Sequence, residues 1–240
     1  MTPRTWVILG ATSIIAEEFA HCAAKAGNHL RLVGRDEEQL QLIARDIEYR
    51  FKVPCEVMLM DMTKSVSKLV TVLKPDAHEL DLFIAQSDFA GNDHLSAQSI
   101  SQLVQVNIMA TVQLIHAYLQ ITQSQHHLLF LSSVAACRGR AKNSLYGSSK
   151  AAIEIYLQGL QQAATKEQHI TIARLGFIDT RQTFGLPGIF YAAPPKECAQ
   201  TCWNAINKHK NMFYYPGFWR AIMAVMTRIP FFIYKKMKAV

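Results

Sequence analysis

Tyr146 and Lys150 stand four residues apart in a stretch of helical pattern, Leu145–Thr165, which places both side chains on one helix face, a turn apart. An ammonium so close to a phenol favours the tyrosinate and is expected to lower its pKa from about 10. Such a tyrosine can give a proton to a carbonyl oxygen during reduction or take one from an alcohol during oxidation. The spacing is not specific by itself, because Tyr234 and Lys238 repeat it. Context separates the pairs. Thirteen residues before Tyr146 stands Ser133, closing the apolar run Leu131-Ser132-Ser133-Val134, where its hydroxyl can orient a substrate oxygen; thirteen before Tyr234 stands Ala221. Asn107 lies among apolar neighbours in Val106-Asn107-Ile108, and an amide there needs partners. Main-chain partners within the core are one reading. A place in a water-mediated proton relay beside Ser133, Tyr146 and Lys150 is the preferred one.

A second group of residues suits a nucleotide. The apolar run Trp6–Leu9 ends at Gly10 and turns through Ala11-Thr12-Ser13 into a helical pattern. Backbone N–H groups and a helix N-terminus at such a turn attract a pyrophosphate. Gly10, Thr12, Ser13 and Ile15 are therefore candidate contacts, although Ile14 and Ala16 stand where close backbone approach usually favours glycine. An ordinary strand-to-helix turn capped by Thr12 or Ser13 remains the alternative. The second apolar run ends Val33-Gly34-Arg35. No carboxylate is present at residue 34 to hold a ribose 2′-hydroxyl, and a guanidinium follows that can pair a 2′-phosphate. NADP(H) is preferred, with NAD(H) left open.

These residues need a scaffold. Short apolar runs at Trp6–Leu9, His29–Val33, Cys55–Leu59, Leu82–Ala85, Leu128–Ser132, Ile170–Leu175 and Phe213–Tyr215 alternate with helical patterns, including a long one over about Ser99–Gln120. That alternation predicts an α/β fold, a single-domain doubly wound parallel sheet of about seven strands with helices on both faces. Ligands of such sheets bind beyond the carboxyl ends of the strands, where Gly10, Arg35, Asp61 and Ser133 fall.

With 240 residues, half of them apolar and 18% charged, the chain can bury a large core and is not disordered. Five scattered cysteines do not form a disulfide framework. Cys198 and Cys202, one turn apart with no Cys-x-x-Cys or paired histidines, read as small buried residues, and no metal site is expected. No secretory signal pattern opens the chain, which points to the cytoplasm.

The net charge of +7 is confined to one end. No acidic residue follows Glu197, whereas Lys208, Lys210, Arg220, Arg228, Lys235, Lys236 and Lys238 do, so residues 1–197 are neutral. Residues 216–240 form a basic, aromatic extension to a domain over 1–215. Arg220, Arg228 and Pro230 interrupt any spanning helix, and Pro230 is expected to divide the segment into two short helices. Ile222, Met226, Ile229 and Ile233 recur at helical spacing beside Phe218, Trp219, Phe231 and Phe232. This composition fits peripheral contact with the inner face of a membrane, or a helix packed on the domain or a sister subunit. Nucleic-acid binding is not expected, since no recognition module is present.

Gly10, Asn107, Ser133 and Tyr146-Gly-Ser-Ser-Lys150, in this order along nearly the whole chain, resemble the short-chain dehydrogenase/reductase family. The resemblance implies a Rossmann-type sheet, a catalytic tetrad of Asn107, Ser133, Tyr146 and Lys150, and a lysine that also holds the nicotinamide ribose. It further implies that Asp61 and Met62 contact adenine and that Ile178 and Thr180 face the nicotinamide carboxamide. A homo-oligomer is expected by the same analogy. The sequence departs from the family at Ile14 and Ala16, at Ala85-Gln86-Ser87 in place of Asn-Ala-Gly, and at Leu175 in place of proline. Tyr215-Pro-Gly-Phe-Trp-Arg220 and Ile229-Pro-Phe-Phe-Ile-Tyr-Lys-Lys236 resemble the branch of decaprenylphosphoryl-β-D-erythro-pentofuranosid-2-ulose 2-reductase-like proteins, which implies a lipid-linked keto-sugar. The segment between Phe177 and Pro195, with Phe184, Leu186, Ile189, Phe190 and Tyr191, is expected to form an apolar substrate pocket. The expected activity is hydride transfer between NAD(P)H and a ketone or secondary alcohol, with Tyr146 as general acid/base. The alternative is a catalytically weak cofactor-sensing or membrane-recruited binding protein on the same fold.

Overall fold

The computed structural model describes residues 3–64, 71–74, 77–181, 183 and 191–237. Seven strands, β1 (Thr5–Leu9), β2 (His29–Gly34), β3 (Cys55–Leu59), β4 (Leu80–Ile84), β5 (His126–Ser133), β6 (Gln168–Leu175) and β7 (Met212–Tyr215), form one sheet in the order β3-β2-β1-β4-β5-β6-β7. Every pairing is parallel. The expected Rossmann-type doubly wound sheet is therefore present, and its strand order reverses between β1 and β4, where a crevice opens beyond the strand ends.

Alternation along the strands divides the core. Trp6 and Ile8 of β1 face α1 (Ile14–Lys25), α2 (Glu37–Phe51) and α6 (Pro195–Asn207). Val7 and Leu9 face the opposite layer, with Leu114 and Ile115 of α4 (Thr111–Leu119) and Ile153 and Leu157 of α5 (Ser144–Ala163). Period-two patterning on a strand buried on both faces produces these two cores from one apolar run.

The helix expected over Ser99–Gln120 is not continuous. α3 (Ala97–Val104) passes into a wider π turn over Gln105–Ala110 before α4 begins. The extra residue in that turn places Asn107 inward, 3% exposed.

The C-terminal segment divides at Pro230, as expected, into α7 (Trp219–Met226) and α8 (Phe231–Tyr234). Trp219 and Met223 of α7 are buried against Val134, Phe177 and Tyr214. This settles part of the tail in favour of packing on the domain. Trp219 also explains Gly176: a Cβ there would stand 1.8 Å from the indole Nε1. In α8, Tyr234 donates to the Gly139 carbonyl at 2.7 Å and lies under the Arg138 guanidinium, while Phe231 and Phe232 are 72% and 69% exposed. No helix among the described residues is long and apolar enough to cross a membrane.

Candidate active site

The carboxyl ends of the strands surround a cleft of about 670 Å3. Gly10, Thr12, Ser13, Ile15, Arg35, Asp61, Met62, Ser133, Tyr146, Lys150, Ile178 and Thr180 all lie on its wall. Sequence neighbours did not gather them; the parallel sheet did, by bringing the end of every central strand to one side.

Gly10 forms the floor at the β1–β4 switch. Its φ of +74° is left-handed, and a Cβ would meet the Gln86 backbone nitrogen at 2.7 Å, so only glycine fits. Ser13 stands at the N-cap of α1 but makes no side-chain cap, which leaves the first-turn amides facing the cleft for an anion. Of the residues that depart from the glycine pattern, Ala16 is fully buried in the core and Ile14 is 38% exposed on the cleft wall. The cradle thus suits a dinucleotide pyrophosphate despite both departures. At one end of the cleft stand Arg35, Asp61 and Met62. Asp36 beside Arg35 is engaged in capping α2 through the Gln39 amide at 3.0 Å and does not pair with Arg35. The Asp61 carboxylate accepts from the Thr63 amide and hydroxyl, and those bonds hold its pKa below the usual carboxylate range.

At the other end the helix geometry puts Tyr146 and Lys150 side by side, with the ammonium 5.9 Å from the phenol ring centroid. Lys150 is 4% exposed, and Nζ donates to the Leu131 carbonyl at 2.8 Å. Burial pushes its pKa down to about 7, opposed by the Glu154 carboxylate. Glu154 is itself buried and occupied by Arg174, at 2.6 Å. Tyr146 corrects the expectation of a lowered pKa. Burial raises it, and the groups that oppose the rise are the hydroxyls of Ser133 and Ser87 and the Arg140 guanidinium. At neutral pH the phenol therefore carries its proton.

Asn107 lies behind the cleft, in the π turn. Its Nδ2 donates to the Asp88 carbonyl at 2.9 Å and to Ser149 Oγ at 3.0 Å, and its Oδ1 accepts from the Asp88 amide at 2.7 Å. Among the described residues the amide is satisfied by this turn, and its side chain is not on the cleft wall. It ties the turn after β4 to Ser149 of α5.

Two wall residues were missed by sequence reasoning. Ser87 and Arg140 reach Tyr146 from separate loops, and no spacing rule connects them. Arg140 makes no hydrogen bond or ion pair among the described residues, and burial lowers its pKa. Ile178 bridges Ala193, and Thr180 N–H donates to Thr183 Oγ1 at 3.0 Å, which ties down the floor of the expected substrate loop. Phe184, Leu186, Ile189 and Phe190 lie outside the described residues; Tyr191, next to them, packs on Phe218. Lys238 also lies outside them.

Residues 4–184 match the family described as short chain dehydrogenase. A curated relative, an uncharacterised oxidoreductase of Staphylococcus saprophyticus, is 28% identical over 182 residues, covering 72% of this chain and 78% of that one. A short-chain dehydrogenase from Sphingobium yanoikuyae in complex with NADPH superposes with a TM-score of 0.81 at 20% identity, covering 95% of this chain and 96% of the other. A 7β-hydroxysteroid dehydrogenase superposes with a TM-score of 0.86 at 18% identity, covering 99% and 97%.

Proposed function

Since the chain belongs to the short-chain dehydrogenase family and is an oxidoreductase of CH–OH and carbonyl groups, we propose that it reduces a ketone with NADPH, using Tyr146 as the proton donor. The observation that carries this reading is the convergence of Ser133, Tyr146 and Lys150 on the cleft that Gly10 and the uncapped start of α1 also line. A bound nicotinamide would supply hydride to the carbonyl carbon. The remaining work falls to the chain. Ser133 Oγ, within reach of the Tyr146 hydroxyl, orients the carbonyl oxygen. Tyr146 Oη gives that oxygen its proton, and the resulting phenolate is held by Ser133, Ser87 and the positive charge of Arg140. Lys150 stands behind it and would hold the nicotinamide ribose. Asp61 and Met62 would contact adenine, and Ile178 and Thr180 the carboxamide. A phenol whose pKa is raised favours reduction over oxidation near neutral pH.

Arg35 supports NADP(H): its guanidinium lies on the cleft wall and makes no salt bridge among the described residues, although the Asp61 carboxylate is near enough to feel its charge. Charge-assisted bonds from a guanidinium to a phosphate contribute about 1.5–3 kcal/mol, or roughly 10- to 100-fold in affinity. Titration of the protein with NADPH and NADH, read by energy transfer to the nicotinamide, is expected to show tighter NADPH binding, and Arg35→Ala to narrow the ratio by that factor. Binding of NADH alone would overturn the role of Arg35 and leave the reductase standing. Binding of neither would favour the non-catalytic alternative.

The branch resemblance and the tail support a lipid-linked keto-sugar as the substrate. Arg140, beside Tyr146 and without a hydrogen bond or ion pair among the described residues, suits the phosphate of such a substrate. Phe231, Phe232 and Ile233 of α8 project beside Lys235 and Lys236, the pattern of an interfacial contact with anionic lipid. The chain is expected to sediment with phosphatidylglycerol vesicles, to be released by added salt, and to lose sedimentation when Phe231, Phe232 and Ile233 are all replaced by Ser. These substitutions leave Trp219 in its pocket, so unchanged sedimentation would remove the membrane reading rather than report a misfolded chain. A homo-oligomer is proposed from the family alone.

A further inference from the structure

At the amino ends of β5 and β6, away from the cleft, three histidines from three elements meet. His127 is on β5, His169 on β6, and His209 in the turn between α6 and β7. One ring nitrogen from each lies within 4.8 Å of the others. The rings of His169 and His209 are 3.7 Å apart by centroids, and those of His127 and His169 are 5.2 Å apart. We propose that this cluster is a binding site for a divalent transition-metal ion of the zinc, nickel or copper type, held by three imidazoles with a coordination position left for water.

The chemistry of the cluster and of the groups behind it carries this proposal. His127 Nδ1 is 3.1 Å from Asp81 Oδ1. A carboxylate there accepts, so Nδ1 carries the proton and the lone pair of Nε2 is left for a metal. A carboxylate on the second nitrogen is the usual means by which a metal-bound imidazole is oriented. Asp81 is fixed in turn by Arg4, whose Nε and Nη2 donate to its two oxygens at 2.7 and 2.8 Å. His209 adopts a left-handed φ of +50°, rare for a residue with a side chain, and that conformation brings its ring against His169.

Three nitrogens about 2.0–2.1 Å from a zinc ion stand about 3.4 Å apart in tetrahedral geometry. Closing from separations of up to 4.8 Å would require rotation of the exposed His209 ring and smaller side-chain adjustments of His127 and His169. Imidazole ligands favour zinc, nickel and copper over calcium and magnesium, which prefer oxygen. Bound there, the ion would tie the amino ends of β5 and β6 to the turn that enters β7, and would stabilise the folded chain in proportion to its occupancy.

The test uses the untagged full chain, stripped with a chelator and titrated with Zn2+ alone by calorimetry at pH 7.5. One ion per chain is expected, with a rise in Tm at saturation and no competition from Mg2+. His169→Ala and His209→Ala should each weaken binding at least tenfold, and Co2+ should give a four-coordinate visible spectrum that both variants lose. Neither residue carries the Asp81–Arg4 network, so both variants are expected to fold. Absence of stoichiometric binding would overturn the proposal. So would binding that both variants retain, which would place the ion elsewhere.

Discussion

Tyr146→Phe is expected to fold, bind nucleotide and lose at least about 100-fold in kcat for ketone reduction, the lower end of what a positioned general acid contributes. The substitution removes one hydroxyl and keeps the ring, which packs edge-on against Phe89 at 5.1 Å. Near-normal turnover in this variant would remove Tyr146 from the mechanism. The pH profile gives a second readout. Burial holds the Tyr146 pKa above 10, so the rate of reduction should stay flat through neutral pH and fall only when the phenol loses its proton in strongly alkaline solution. Alcohol oxidation needs the phenolate and should rise over the same range. Replacing Arg140 by Leu removes a positive charge that opposes the rise and should move both limbs to still higher pH.

Lys150→Met is expected to abolish most of the activity and yet give a more stable protein. A buried ammonium costs stability in proportion to its pKa displacement, and the folded value of about 7 lies well below the ordinary lysine value of 10.5. Between pH 7 and 10.5 the unfolded chain binds a proton that the folded chain does not. Stability contributed by this site therefore rises with pH across that window, and the penalty is complete below pH 7. Met fills similar volume without charge, and Glu154 keeps its Arg174 and Ser132 partners. The variant should melt higher at pH 7, by about 2–4 °C for each kcal/mol recovered in a chain of this size. The difference should shrink toward pH 10. A variant that melts lower at every pH would show that the lysine is held by interactions stronger than its desolvation. The conflict is the ordinary one between a functional group and the core that surrounds it.

Much of this protein was legible from residue order because the relevant physics is local. Strand-length apolar runs alternating with helical periods fixed a parallel sheet, and an i, i+4 pair on one helix fixed the meeting of Tyr146 with Lys150. Pro230 fixed the division of the tail, since proline cannot continue a helix. Gly10 was read as the turn at the first strand end, and the structure supplies the reason in a left-handed φ and the Gln86 backbone that closes on it. What the tertiary structure alone decided are quantities that depend on neighbours distant in the chain. Burial, not the adjacent ammonium, sets the direction of the Tyr146 pKa. The π turn that carries Asn107 turns its amide to Asp88 rather than to the cleft wall, and a one-residue insertion in a short apolar stretch does not show in the sequence which way that side chain turns. Trp219 sits on Gly176 and draws α7 onto the domain, while the basic, aromatic composition of the tail described docking and exposure equally well. The three histidines, unremarkable in the sequence, became neighbours only when parallel strands aligned their amino ends. A sequence specifies contacts within a turn or a strand directly; a dielectric, a packing partner or a convergence across a sheet exists only once the chain has closed on itself.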